Sequence, residues 1–196
     1  MTVLYCSAKL LKRLRQPVSE SDPPGEGNPL GPWSADIDFI DRAPFAVLMN
    51  AATGMILVLP ARAADLRRLH VMAGEQTAAL FRVCGLDSPL AQAELDALAQ
   101  PFSVQRNTNR SLVASMNLRK FEAWVRFAHD GLRAFDVALR MLETPFSRKE
   151  LPKGFHFAID RLRARLQPSA EILACPDVRL ARGVVARQRA AEIDDA

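Results

Sequence analysis

The chain has 196 residues, 49% of them hydrophobic and 24% charged, with 26 Lys and Arg against 22 Asp and Glu. This balance excludes a mostly disordered or fibrous chain, and the length suits one domain of roughly 100–200 residues with an appendage. A chain of this size buries about 70% of its unfolded surface, so it needs neither disulfide nor metal to fold.

No run of about 18 apolar residues occurs, so no transmembrane helix is expected. The N-terminal segment MTVLYCSAKLLKRLRQ carries its charges after its apolar residues and lacks the cleavage site of a secretory signal. Cys6, Cys84 and Cys175 are odd in number and have no CxxC spacing, as free cytosolic thiols would. The expectation is a cytoplasmic protein with no membrane association and no cofactor.

Residues 2–6 are β-branched and aromatic, which predicts a short strand. Ser7 then caps a helix through Arg15, with Leu10, Leu11 and Leu14 on one face. Residues 16–32 hold five prolines and three glycines, a density that no regular element survives. Asp36–Asp41 alternates polar and apolar side chains and predicts a half-buried strand. Pro44–Asn50 and Met55–Pro60 are apolar strands joined by Ala51-Ala52-Thr53-Gly54, and three strands with short links make an antiparallel meander. From Arg62 the period turns helical, with Ala63, Leu66, Leu69, Met72, Leu80 and Val83 in one or two helices ending at Gly85.

Ser88 caps a further helix through Ala99, with Pro89 in its first turn and Leu90, Leu95 and Leu98 expected inside. Pro101–Gln105 reads as a short strand. A long helix starts at Ser111 and runs to about His129, Gly131 breaks it, and Leu132–Leu142 is helical again. Pro145 ends that helix, and another runs from about Lys153 or Phe155 to Leu166. The polar end is expected to be disordered beyond Gln188. The fold class is therefore α+β: a small, mainly antiparallel sheet packed with helices, with a C-terminal helical extension. Residues 1–145 form the core domain and 146–196 the extension and tail.

Charge points to one region. Residues 106–153 hold ten basic groups against five acidic ones, which accounts for the entire excess of +4. Within it, the segment QRNTNRSLVASMN (105–117) stands between a strand and a helix start. Free amides and the positive dipole end at Ser111, flanked by Arg106 and Arg110, suit an anion. Asn107, Asn109, Ser115, Asn117, Arg119 and Lys120 complete the candidate binding surface. The bland alternative is a solvated helix face behind a loop that satisfies its own carbonyls. Trp33 reads first as an anchor of the Pro/Gly-rich loop and secondly as a ring that stacks on a ligand.

Catalytic and metal patterns are weak. GxxxxGK[ST], GxGxxG and zinc spacings are absent. His70, His129 and His156 stand apart, although His156 and Asp160 have i, i+4 spacing for pairing on one helix. Asp36 and Asp38 share a strand face without a third ligand, so no metal is expected. Cys6 and Cys84 sit in apolar surroundings that suit inert thiols.

Several motifs resemble those of an uncharacterised bacterial family, domain of unknown function 6933, over roughly residues 1–130. They are Ser7-Ala8-Lys9-Leu10-Leu11 after the first strand, Leu30-Gly31-Pro32-Trp33 before the meander, Leu59-Pro60 at a strand end, and Asn109-Arg110-Ser111 followed by Ser115-Met116-Asn117. The last is the most specific. The chain departs from the family after Asn117, where Leu118-Arg119 replaces an acidic continuation. The resemblance implies the architecture and marks the 109–117 segment, without implying an activity. The expected function is non-catalytic binding of a nucleic acid or an acidic protein surface through the basic helix start. The alternatives are a small enzyme acting on a phosphate-containing substrate and an accessory factor that binds a protein through the apolar faces of the Leu132–Leu166 helices.

Overall fold

The computed structural model of the chain describes residues 1–19, 27–147 and 153–167; Cys175, the C-terminal tail and the middle of the Pro/Gly-rich loop lie outside these. Among the described residues, no helix is long and apolar enough to cross a membrane. Five strands among these residues, β1 (Val3–Cys6), β2 (Trp33–Ile40), β3 (Ala43–Asn50), β4 (Ile56–Pro60) and β5 (Ser103–Arg106), form one sheet in the order β4-β3-β2-β1-β5. The expected meander is β2-β3-β4, with antiparallel ladders that are the longest in the sheet. β1 instead lies parallel to both β2 and β5. This placement buries β1 in the sheet and makes β2 central, which is why Trp33 through Ile37 are all buried rather than alternating.

Among the described residues, seven helices surround the sheet: α1 (Ala8–Leu14), α2 (Ala63–Leu66), α3 (Leu69–Cys84), α4 (Pro89–Leu98), α5 (Arg110–Asp130), α6 (Ala134–Leu142) and α7 (Ala158–Leu166). Trp33 and Asp36, three apart on β2, point to opposite faces. The Trp33 indole meets Glu94 of α4, whereas Asp36 meets Lys120 of α5. Helices α4 and α5 therefore cover opposite faces of the sheet. α3 packs beside α4, α6 packs beside α5, and α7 docks against α4 and α6.

The local signals work as expected at several ends. The Ser7 hydroxyl accepts from Leu10 N and the Ser88 hydroxyl accepts from Ala91 N, each capping its helix. Gly85 and Gly131 end α3 and α5 in the left-handed conformation. Both sheet edges are blunted. The Gln76 amide bonds N–H and C=O of Val58 on β4, and Ser19 N donates to Val104 O on β5.

Three expectations change. Leu90 is 39% exposed, and the buried face of α4 is Ala91, Glu94 and Leu98 instead. The cap of α5 is Asn109, whose side chain accepts from Leu112 N, so Ser111 lies within the helix. His156 and Asp160 do not share a helix: α7 begins at Ala158, and His156 forms a β-bridge with Phe146 ahead of it.

Candidate functional site at the start of α5

The parallel pairing of β1 with β5 fixes where α5 begins. Cys6 is in register with Arg106, and Asn107 N continues the ladder by donating to Cys6 O at 2.9 Å. The chain then turns. Asn109 N donates to the Asn107 side chain at 3.0 Å, and the Asn109 side chain takes Leu112 N at 3.0 Å. Two asparagines in succession thus satisfy the turn and the helix start. The Ser115 hydroxyl turns back to Ser111 O, an ordinary contact of a serine within a helix.

Arg106, Asn109, Arg110 and Asn117 are exposed, while Asn107, Ser111 and Ser115 are half-buried. Among the described residues, neither Arg106 nor Arg110 has a carboxylate within ion-pair distance. The other predicted cations face inward. Arg119 is buried, pairs with Glu122 at 2.6 Å and lies over the Phe146 ring at 5.4 Å. Lys120 reaches under the sheet face to Asp36, with Asp38 at 3.8 Å. Asp36 also accepts from the Ser7 hydroxyl and from Ile37 N. The two carboxylates that share a strand face therefore serve a cation of the protein's own, and no cluster suited to a metal occurs among the described residues.

Trp33 is fully buried, and its indole N–H donates to Glu94 at 3.1 Å. It anchors the loop, the first of its two sequence readings. Glu94 is the polar residue that the sequence reading missed. It accepts from Asn28 Nδ2 at 2.8 Å on each oxygen, and from Leu30 N at 2.9 Å. Burial raises its pKa, while these donors and Arg165 work against the rise. A signal was available: Ala91, Glu94 and Leu98 follow the i, i+3, i+7 stripe, so Glu94 shares its face with small and apolar residues.

The outward face of α5 holds a second feature absent from the sequence reading. Val113, Leu118, Phe121 and Trp124 are 38%, 58%, 61% and 40% exposed. At 100° per residue they fall in one sector together with Arg110, Ala114 and Asn117, opposite the buried Leu112, Met116, Arg119 and Ala123. Phe121 and Trp124 stack with ring centroids 6.4 Å apart. Burial pushes the Cys6 thiol up to about 12 with help from Asp36, and burial also raises Cys84.

The chain belongs to the family described as a domain of unknown function, DUF6933, which matches residues 3–161. The match extends past the expected limit near residue 130, through α6 and into α7. No curated protein matches the chain.

Proposed function

We propose that this member of the DUF6933 family is a non-catalytic binding protein that takes an acidic protein partner on the outward face of α5. The observation that carries the reading is the apolar stripe of Val113, Leu118, Phe121 and Trp124, with Arg106 and Arg110, which pair with no carboxylate among the described residues, at its N-terminal end. Large apolar side chains gathered on one exposed face mark an interaction surface, and the arginines select a segment whose acidic end meets them. A helix of 21 residues is about 31 Å long, enough to seat several turns of an amphipathic helix.

A protein fits better than a nucleic acid. Phosphate tracking needs a row of free cations, and Arg119 and Lys120 are committed to Glu122 and Asp36. The Leu112 amide is likewise taken by Asn109, so the surface depends on guanidiniums rather than on a free helix end. Trp33, Arg119 and Lys120 are no part of this surface.

The test is site-specific crosslinking through a photoreactive side chain at position 121. An acidic, amphipathic peptide should be captured, and adding Leu118→Glu or a double Arg106→Gln, Arg110→Gln change should each release it without altering the melting temperature. Capture of nucleic acid, or of a second copy of this chain, would overturn the reading.

A further inference from the structure

A second region of the molecule gathers positive charge without using it. Between α1 and α2 lies a cleft of about 590 Å³ lined by Lys12, Arg13, Leu14, Arg15, Ala63, Leu66 and Arg67. Four of these seven residues are cations, all four are exposed, and among the described residues no carboxylate lines the cleft. Among the described residues none of the four makes an ion pair. The nearby Asp65 is occupied in the turn, where it accepts from Arg62 N.

Cations in a last helical turn have a bland role, which is to offset the negative dipole end of the helix. That role does not account for this cleft. The dipole amounts to about half a charge, whereas four full charges converge here. Arg67 also comes from another element, just beyond α2. Arg15 ends α1 in the left-handed conformation, with φ of 53°, where glycine is the residue without strain. The backbone there would therefore accept Arg15→Gly, which removes the guanidinium without adding strain. Arg13 is held in place by the Phe39 ring, 4.8 Å from its guanidinium carbon.

We infer that this cleft is a binding site for a compact polyanion carrying several phosphoryl groups. Three of the four cations are arginines, whose planar forks match phosphoryl oxygens two at a time. The volume falls within the range of small-ligand sites, and Leu14, Ala63 and Leu66 give it an apolar floor for a non-phosphate moiety. The inference is independent of the α5 surface, which uses other residues.

The test is calorimetric titration of the intact protein with sodium tripolyphosphate at low salt, with citrate and a short oligothymidylate as parallel probes. Saturable binding of one tripolyphosphate per chain is expected, and Arg15→Gly should weaken it about tenfold while leaving the melting temperature equal or higher. A double Arg13→Gln, Arg67→Gln change should weaken it further. Arg82→Gln, which removes an exposed charge from α3, should leave it intact. No saturation, equal binding of citrate, binding of the oligonucleotide alone, or an equal loss in the Arg82 variant would each overturn the inference.

Discussion

The pocket beneath α4 and the outward face of α5 depart from the usual distribution of side chains in opposite senses. Under α4 a carboxylate is fully buried; on α5 a phenylalanine is more than half exposed. The buried Glu94 is surrounded by donors from Asn28, Leu30 and Trp33, so each partner is satisfied by another. The exposed aromatics of α5 gain nothing comparable from the fold. A polar group inside is tolerated when its hydrogen bonds close, and that closure identifies a structural device. An apolar group outside has no such internal account, and that points to a surface with an external use. If the contrast holds, substitutions in the first region should change stability and those in the second should not.

The largest effect is expected at Glu94. Glu94→Ala leaves the Trp33 indole, the Asn28 amide and Leu30 N without their acceptor in a buried site, and should cost about 3–5 kcal/mol in urea unfolding. The pH dependence sharpens this. The folded carboxyl holds its proton to higher pH than the unfolded one, so the folded state binds more protons between the two pKa values. Stability from this group should therefore be greatest at acidic pH, below the ordinary carboxylate range. It should fall as pH rises through the raised value. Glu94→Gln should be less stable than wild type and lack this slope; an identical slope in both proteins would assign it to other groups.

Lys120 tests the inner side of α5. Its partner Asp36 is buried, so Lys120→Ala should cost roughly 3 kcal/mol by leaving that carboxylate without its cation. Read from the sequence as a surface cation, Lys120 would be replaceable with no change in melting. Gly54 follows. It lies at φ of 74°, and a Cβ there would stand 2.3–2.8 Å from ring atoms of Phe146, the ring over which the Arg119 guanidinium lies. Gly54→Ala should cost about 2–3 kcal/mol, and adding Phe146→Leu should recover part of it if the clash is the cause.

The contrast also explains how much was readable in advance. Period and capping signals are local, so α1, α4 and the meander stood out through Ser7, Ser88 and the apolar runs of β3 and β4. The parallel partners of β1 did not, because pairing between residues 3–6 and 103–106 is set by tertiary packing that leaves no local trace. The segment at 105–117 is legible as a strand-to-helix junction, with the start read at Ser111 where Asn109 is the cap. The direction of each side chain is not legible. Arg119 and Lys120 count as two positive charges in a composition, yet both are spent on internal carboxylates. Phe121 and Trp124 do not stand out in the sequence, because aromatic residues are usually inside and only the rotation of α5 on the sheet turns these two outward.

The smallest expected effect is therefore the most informative. Phe121→Ser changes a side chain that is 61% exposed and stacks on the neighbouring Trp124, so its unfolding free energy should move by no more than about 0.5 kcal/mol. Removing so much apolar surface without a stability cost means that the fold has no need of the ring. A loss well above 1 kcal/mol would instead mean that the outward face of α5 packs against the protein itself. The distinction from Glu94 would then disappear, and with it the reason to assign this face to a partner. Thermal and urea unfolding of Phe121→Ser and Trp124→Ser, measured beside Glu94→Ala, decide between the two.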